Sequence, residues 1–199
     1  MHKLGKMNTP VFWAEGHPGS LNREQWKIEV CGSCDAPRTF SWQDLQNLPS
    51  RTVEARLTSV TRWSVHGRWT GVPMAEILSL VKVQDSCKYI RFWSVGMIYD
   101  TSIPREIAEK ERSLIAWAFD DELLDENYGG PVRGFVPYLW GYKSAKSIVK
   151  IELMDYYVPG FWEVRGYTDS AEIEAGVCRD INDGGVLKRI SAGEVKEFI

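Results

Sequence analysis

The sequence lacks any run of about eighteen apolar residues, the length that a membrane-spanning helix needs. Its first residues, MHKLGKMNTPVFW, have neither the apolar core of a secretory signal nor a twin-arginine pair, so we expect a cytoplasmic protein. An excess of positive charge is also missing, because 24 Lys and Arg are outnumbered by 27 Asp and Glu. Since nucleic-acid-binding proteins usually present a basic face, we expect neither RNA nor DNA as a partner.

Metal-ligating side chains are scarce, with four cysteines and three histidines in the chain. Cys31 and Cys34 form a CGSC pair, but Cys87 and Cys178 stand alone, and a zinc ribbon needs a second close pair. In a chain without a secretion signal we expect reduced thiols rather than disulfides. The pair therefore predicts small buried residues at the end of a strand, and a zinc-stabilised interaction module is the alternative.

The composition, 44% hydrophobic and 26% charged residues over 199 positions, is typical of a single globular domain. Ser41 and Pro73 mark the starts of two helices, and the segment 61–71 is predicted to be a loop that turns at Gly67 and Gly71. Another short helix is expected at 104–111.

Alternation of apolar and polar residues predicts strands at 26–30, 52–60, 88–95, 97–103, 113–119, 122–124 and 147–154.

Strands outnumber helices in this pattern, and the connections between them are short. This favours a mixed α+β domain over a doubly wound parallel sheet, and no glycine-rich nucleotide-binding loop is present. We expect three parts: an N-terminal segment at 1–25, the domain at 26–167, and a C-terminal extension at 168–199 that packs on the domain.

Cationic and hydroxyl side chains concentrate where GGPVRGFVP (129–137) is followed by YLWGYKSAKS (138–147). The stretch contains Arg133, Lys143, Ser144 and Lys146. In a chain with a slightly negative net charge, such a local cluster of donors indicates a bound anion.

Five blocks, in this order and spacing, resemble the sulfite-oxidase-like molybdopterin-binding domain in its single-domain soluble form. They are LTSVTRWS (57–64), WTGVPMAEIL (69–78), GGPVRGFVP (129–137), GYKSAKS (141–147) and IELMDYYVPGFWEVRGY (151–167). The resemblance covers residues 26–167 and implies that family's α+β fold with mixed sheets. It also implies a molybdenum–molybdopterin cofactor whose two dithiolene sulfurs hold the metal and whose phosphate tail lies among cationic and hydroxyl donors.

The resemblance assigns the contacts with the phosphate and the pterin to specific positions. These are Arg133 in the GGPVR block, and Lys143, Ser144 and Lys146 in the KSAK block. A guanidinium holds a phosphate in a planar fork and a lysine adds a point charge, so the chemistry agrees. Gly130, with Gly129 before it, would let the backbone approach the ligand closely.

The sequence departs from the family pattern around the metal. The family's metal-binding thiolate occupies the third position of the LTSVTRWS block, which is Ser59 here. A serine hydroxyl is a harder ligand and ionises less readily than a thiol. Three explanations stay open: Ser59 ligates molybdenum as an alkoxide, it is an engineered replacement that traps an inactive state, or the site has lost its metal.

Three further positions differ from the pattern. Tyr128 stands where the family usually has a histidine that donates a hydrogen bond to the cofactor, and its hydroxyl would donate from a different distance. Ser147 replaces the usual tryptophan after the KSAK block. Near the N-terminus, His17 is an out-of-register counterpart of a polar pair over the pterin.

The predicted function is that of a molybdopterin-dependent oxidoreductase that moves an oxygen atom and two electrons to or from a small sulfur or oxyanion substrate. Ser59 would be the metal ligand, and Arg62, directly after the metal loop, would attract the substrate at the mouth of the pocket. A haem protein or another redox protein would be the electron partner, since the chain has no cofactor motif of its own for electron supply. The alternative is a non-catalytic protein that retains the cofactor or another phosphate-bearing ligand.

Overall fold

The computed structural model describes residues 7–199, so the first six residues of the predicted N-terminal segment lie outside the described residues. Within the described part, the strands form two sheets, and short helices connect them. No helix in the part of the chain that the structure describes has the length and apolarity to span a membrane.

The first sheet has five strands. They are β1 (Lys27–Gly32), β2 (Arg38–Ser41), β5 (Tyr89–Ser94), β6 (Asp100–Pro104) and β10 (Ile148–Met154). Their order is β2-β1-β10-β5-β6, in which β1 and β10 run parallel and the other neighbours antiparallel. In β1 the apolar residues Ile28 and Val30 are buried while the residues between them are exposed, so the period-two pattern of the sequence selects the buried face.

The second sheet has seven strands. They are β3 (Arg51–Ser59), β4 (Trp63–Pro73), β7 (Leu114–Phe119), β8 (Glu122–Leu123), β9 (Arg133–Phe135), β11 (Gly176–Asp180) and β12 (Val186–Ile190). The main path is β12-β11-β4-β7-β8, with β3 paired to β4 and β9 paired to β7. Because β3 pairs along the whole of β4, β11 and β7 share the other edge of that strand. The ring of Trp69 on β4 stacks on that of Phe135 at 4.1 Å and fixes β9 in this core.

The helices are short. They are α1 (Trp42–Asn47), α2 (Met74–Leu80) and α3 (Arg105–Ala108). At the start of α1, Ser41 Oγ accepts from the amide of Asp44 at 3.1 Å, and the Asp44 carboxylate accepts from the Ser41 amide at 2.8 Å, a capping box. Pro73 and Pro104 precede the other two, and α3 is shorter than the helix predicted at 104–111.

The prediction of a loop at 61–71 is wrong, because most of this segment belongs to the eleven-residue strand β4. Gly67 and Gly71 are needed there for close packing rather than for turns. A Cβ on Gly67 would lie 2.2 Å from the ring of Phe119, and one on Gly71 would lie 2.2 Å from the carbonyl oxygen of Ile115. The two glycines therefore allow β7 to lie directly against β4.

The C-terminal residues contribute two strands that the sequence patterns did not predict. β11 pairs in parallel with the start of β4, with Arg179 opposite Trp63 and Asp180 opposite Ser64. Residues of the predicted extension 168–199 are thus part of the second sheet, beside the loop that follows β3. The α+β class with mixed sheets is confirmed, and the division of the chain into three parts stays a prediction.

Candidate functional site

A cavity of about 510 Å³ lies where the two sheets meet the N-terminal segment. Its lining residues come from five regions of the described chain. They are residues 7 and 9–15 of the N-terminal segment; 57, 59–61 and 63 around the β3–β4 loop; Ser94, Tyr99, Tyr128 and Arg133; 141, 142 and 144–146; and Trp162 with Tyr167. The cavity therefore brings together residues from four of the five sequence blocks.

Arg133, on β9, is the fixed cation of the cavity, and its side chain is buried. Its Nη1 donates to the carbonyl of Tyr128 at 2.8 Å, its Nη2 to the carbonyl of Ser144 at 2.7 Å, and its Nε to Gly134 at 3.4 Å. Burial lowers the pKa of the Arg133 guanidinium to about 10, so the group stays charged at neutral pH. One hydrogen on each terminal nitrogen is left for a ligand, and the carbonyls hold the plane of the fork.

Ser144 and Lys146 lie on the same side of the cavity as Arg133. Ser144 Oγ accepts from the amide of Val136 at 2.9 Å. Lys146 Nζ donates to the carbonyls of Phe12 at 3.0 Å and Asn127 at 2.8 Å. Burial, reinforced by the charge of Arg133, lowers the pKa of Lys146 to about 7. The structure thus brings three of the four predicted anion contacts together, and we call Arg133, Ser144 and Lys146 the tail side of the cavity.

Lys143, the fourth predicted contact, does not lie at the cavity. Its side chain has no exposed surface, and its ammonium contacts the carboxylate of Glu163 directly. A further hydrogen bond goes to the carbonyl of Ser102 at 2.8 Å. Because these protein groups surround the ammonium of Lys143, it cannot also contact a phosphate. Lys143 and Lys146, three residues apart, therefore lie in different environments.

Gly130 likewise does not line the cavity. A Cβ on Gly130 would lie 2.1 Å from the carbonyl oxygen of Leu124, so the missing side chain serves contact with the preceding loop. Gly129 adopts a left-handed φ of 91° where the short helical turn 126–128 ends, and a Cβ there would meet the side chain of Lys146 at 2.8 Å. These glycines shape the loop that carries Tyr128 and Arg133 rather than approach a ligand themselves.

Several buried polar atoms at the cavity have no hydrogen-bond partner within residues 7–199. They are Trp13 Nε1, Glu15 Oε1, Ser94 Oγ and Tyr128 OH. Each such atom costs about 1–3 kcal/mol when it stays unpaired, so four at one cavity are typical of a site that a polar ligand completes. Burial raises the pKa of Tyr128, which keeps its hydroxyl a donor. Together with Arg133 and Lys146, these atoms fit a phosphorylated pterin.

Ser59 lies at the end of β3 and lines the cavity, where a Cβ on Gly141 would lie 3.8 Å from its Cα. Its Oγ accepts from the amide of Thr61 at 3.2 Å and shares a hydrogen bond of 2.9 Å with Thr61 Oγ1. The loop is closed by the amide of Arg62, which donates to the carbonyl of Ser59 at 2.9 Å. We call Ser59 and this loop the metal side of the cavity.

No thiolate replaces the missing one within the described residues. None of the four cysteines lines the cavity, and burial raises the pKa of each cysteine thiol. Residues 7–199 also contain no cluster of three or more His, Cys, Asp or Glu that could hold a metal ion, which leaves Cys31 and Cys34 without further zinc ligands. A metal at the predicted position would meet the oxygen of Ser59.

Arg62 does not line the cavity, although the sequence placed it at the mouth. Its Nη1 donates to the carbonyl of Glu174 at 3.0 Å, and its Nη2 lies 3.5 Å from the carboxylate of the same residue. The guanidinium carbon is 5.1 Å from the ring centroid of Trp140. The backbone of Arg62 is left-handed, with φ of 63°, and its side chain packs along Gly176 at the start of β11. Its charge is therefore directed to the C-terminal strands.

The sequence interpretation assigned Trp162 and Tyr167 to core or substrate-channel packing, but it missed the aromatic residues that the N-terminal segment adds to the cavity. Phe12 and Trp13 come from the N-terminal segment, and the ring of Phe12 lies 5.9 Å from that of Trp162, which stacks on Tyr167 at 5.0 Å. Tyr142 donates its hydroxyl to the carbonyl of Thr168 at 2.6 Å, and burial raises its pKa to about 12, so it packs rather than exchanges protons. The aromatic run VFW near the start of the chain was the available signal.

His17 has no part in the cavity. Its Nδ1 accepts from the amide of Gly19 at 3.0 Å, and the residue is exposed. The unpaired polar atoms that the N-terminal segment contributes are Trp13 Nε1 and Glu15 Oε1, four and two residues earlier in the chain.

Comparison with known proteins places the chain among molybdenum-related oxidoreductases. Residues 15–162 match the family described as the oxidoreductase molybdopterin binding domain. The protein-methionine-sulfoxide reductase catalytic subunit MsrP of Ralstonia nicotianae is 31% identical over 181 residues, which cover 83% of this chain and 53% of that protein. The uncharacterized oxidoreductase YuiH of Bacillus subtilis is 30% identical, and the match covers 79% of this chain and 80% of that protein.

The fold has a counterpart among solved structures. The sulfane dehydrogenase SoxCD from Paracoccus pantotrophus superposes with a TM-score of 0.67 at 18% identity, covering 87% of this chain and 46% of that one. This likeness shows the fold, and the chain spans about half the length of MsrP and of SoxCD. The family match implies a molybdenum–molybdopterin cofactor, in agreement with the polar groups of the cavity. The chain belongs to the oxidoreductase molybdopterin-binding domain family.

Proposed function

We propose that this domain binds molybdopterin in the cavity and removes the oxygen atom from a small, neutral sulfoxide-type substrate, with Ser59 at the metal. One observation carries the proposal: buried, unpaired polar atoms and two cations line a single cavity that Ser59 also lines. The same cavity therefore offers contacts for an anionic, polar ligand and an oxygen donor for a metal.

The tail side would hold the organic part of the cofactor. Arg133 offers a fork of two N–H groups, Lys146 a nearby ammonium, and the hydroxyl of Tyr128 a neutral donor. Because carbonyls already orient the guanidinium, little side-chain freedom is lost when an anion binds. When bound, the cofactor supplies a metal centre that exchanges an oxygen atom together with two electrons.

Ser59 would hold the metal through Oγ. The amide of Thr61 points at this oxygen, and an N–H donor stabilises negative charge on the acceptor, which favours the alkoxide. An oxygen donor is harder than the sulfur of a thiolate and so changes the reduction potential at which the site works. A site with Ser59 is therefore expected to differ from its cysteine-containing relatives in redox properties rather than in cofactor binding.

A neutral substrate follows from the charges at the cavity. Arg62 is paired with Glu174 and turned away, while Arg133 and Lys146 lie on the tail side. Aromatic and aliphatic side chains line much of the remaining wall and favour apolar groups on the substrate. The relative from R. nicotianae is named as a protein-methionine-sulfoxide reductase catalytic subunit, which supports a sulfoxide as the reacting group.

The net reaction requires an external source of electrons. The S–O bond of the sulfoxide breaks, two electrons come from a haem protein or another redox protein, and two protons come from solvent, which yields a thioether and water. In this proposal the partner passes its electrons to the cofactor of this domain. A cytoplasmic location remains part of the proposal.

Ser59 also favours a second candidate, a non-catalytic protein that retains the pterin or another phosphate-bearing ligand. The tail side would serve such a protein equally well, because none of its contacts involves the metal. The two candidates differ only in what happens at Ser59.

The test is to produce the full chain and its Ser59→Cys variant in a host that makes molybdopterin, and to measure molybdenum, pterin and sulfoxide reduction with a reduced viologen dye. We expect stoichiometric molybdenum and measurable turnover in the parent. In Ser59→Cys we expect equal metal and a rate changed by roughly tenfold or more, the scale of effect seen for changes around metal sites.

Pterin without molybdenum and without turnover in the parent would reject the oxidoreductase and favour the binding protein. Ser59→Ala is the matched control, since it removes the oxygen ligand with little change in size. It is expected to keep the pterin and lose the turnover.

A further inference from the structure

Two oppositely charged side chains lie fully buried beside the cavity without reaching it. Lys143 and Glu163 have no exposed side-chain surface, and the ammonium contacts the carboxylate directly. The contacted oxygen of Glu163 also accepts from Thr101 Oγ1 at 2.8 Å, and Lys143 donates to the carbonyl of Ser102 at 2.8 Å. Both partners are therefore anchored on β6 as well as on each other.

The pair joins two segments whose neighbouring residues form the aromatic wall of the cavity. Tyr142 immediately precedes Lys143, and Trp162 immediately precedes Glu163, and both aromatic residues line the cavity. Their rings meet through Tyr167, which lies 5.1 Å from Tyr142 and 5.0 Å from Trp162. A shift of either charged residue would thus move one side of this wall against the other.

Neutral contacts also hold the segment after β10 against β6. The amide of Phe161 donates to the carbonyl of Asp100 at 2.9 Å, and Ser102 Oγ donates to the carbonyl of Val158 at 2.8 Å. A Cβ on Gly160 would lie 2.4 Å from the carbonyl oxygen of Asp100, so the two chains approach closely. The segment has enough contacts to stay in place, and the ion pair fixes its register relative to Tyr142.

Stability alone is a poor reason for this pair. Burying two charges costs several kcal/mol, which their attraction offsets only when all remaining polar atoms are hydrogen-bonded. Glu163 Oε2 is buried and has no partner within the described residues. Burial also lowers the pKa of Lys143, a shift that the charge of Glu163 opposes. An apolar pair of similar volume would hold the segments together without this penalty.

We propose that Lys143 and Glu163 are a positioning pair that sets the distance between Tyr142 and Trp162 and thereby controls how a substrate fits the aromatic wall. The effect on substrates rests on the proposed function, whereas the effect on the wall does not. Of the two lysines of KSAK, Lys143 would then position the aromatic wall, and Lys146 would contact the ligand on the tail side.

The experiment labels the full chain with 5-fluorotryptophan and records ¹⁹F NMR spectra, with the Trp162 resonance assigned through Trp162→Phe. Lys143→Met and Glu163→Leu are expected to shift or broaden this resonance and to leave that of Trp42, on α1, unchanged. Glu163→Gln keeps an oxygen that can accept from Thr101 and Lys143, and is expected to restore the parent position. Arg112→Met is the matched control, because it breaks the partly buried pair with Glu194 elsewhere on the domain.

Kinetics on the loaded protein give the second readout. With a sulfoxide substrate, Lys143→Met is expected to raise KM about tenfold and to leave kcat within about twofold, the pattern of lost substrate contact. A lower kcat with unchanged KM would instead indicate a smaller active fraction and would overturn the proposal, as would a Trp162 resonance that moves no more in Lys143→Met than in Arg112→Met. If the resonance moves but the parent reduces no sulfoxide, the positioning role stands and the proposed function fails.

Discussion

The tail side and the metal side of the cavity differ in how firmly the protein holds its polar groups. On the tail side, Arg133 is 3% exposed and three of its five N–H groups are fixed by carbonyls. On the metal side, Ser59 is half-buried and its hydroxyl bonds only to Thr61 within the described residues. Under the proposed function, contacts with the organic cofactor and the contact with the metal come from separate residues, so one could change while the other persists.

The largest effect on cofactor binding is expected from replacement of Arg133, the most firmly held residue of the tail side. Arg133→Leu leaves the carbonyls of Tyr128 and Ser144 unpaired, so we expect a loss of about 2–5 kcal/mol in the free energy of unfolding. We also expect less than about one tenth of the parent's pterin, because the fork on the phosphate is gone. Pterin fluorescence after denaturation and urea unfolding measure the two effects.

Two control variants make this comparison decisive. Arg133→Lys keeps the charge without the planar fork and is expected to retain an intermediate amount of pterin. Ser59→Ala, at the metal side of the cavity, should retain as much pterin as the parent. Equal loss of pterin in Ser59→Ala and Arg133→Leu would show that the two sides do not act separately.

A smaller effect is expected from the titration of Lys146. Its pKa of about 7 lies far below the ordinary value of 10.5, because burial disfavours the charged ammonium. Bound phosphate favours the charged form, so binding above pH 7 must take up a proton, and affinity should fall as pH rises by at most about tenfold per pH unit. Between pH 7.5 and 9 a phosphate monoester keeps its charge, so the lysine dominates the trend.

The measurement is the rate at which pterin dissociates from the purified protein across that pH range. Lys146→Arg stays charged throughout and is expected to show little pH dependence, which isolates the lysine. A slope that is the same in Lys146→Arg and the parent would place the titration elsewhere in the cavity.

The sequence predicted most of the first sheet and half of the site, for identifiable physical reasons. Period-two alternation located β1, β5 and β10, since each buries one face, and the capping pattern at Ser41 located α1. It failed at Gly67 and Gly71 because glycine marks both turns and close strand contacts, and only the position of β7 decides between them.

At the site, the residue types predicted where charge is concentrated in the sequence, but not which side chains point into the cavity. Arg133, Ser144 and Lys146 reach the cavity, whereas Lys143 finds Glu163, a partner twenty positions away that no local pattern indicates. Trp13 and Glu15 contribute through a segment whose path over the cavity depends on tertiary contacts such as the bond from Lys146 to the Phe12 carbonyl. Such long-range pairings lie beyond periodicity and spacing.

The smallest expected effect concerns Arg62, which joins the metal loop to the C-terminal strands without entering the cavity. Arg62→Ala removes a partly exposed ion pair with Glu174, so we expect a loss below about 1 kcal/mol in the free energy of unfolding. The KM for a neutral sulfoxide should stay within about twofold, measured beside the urea unfolding curve. If sulfite is also turned over, its KM should be equally insensitive, since no charge at the mouth is lost. A tenfold rise in the KM for sulfite alone in Arg62→Ala would instead show that Arg62 contacts the substrate. The metal side would then recognise an anion, as the tail side does.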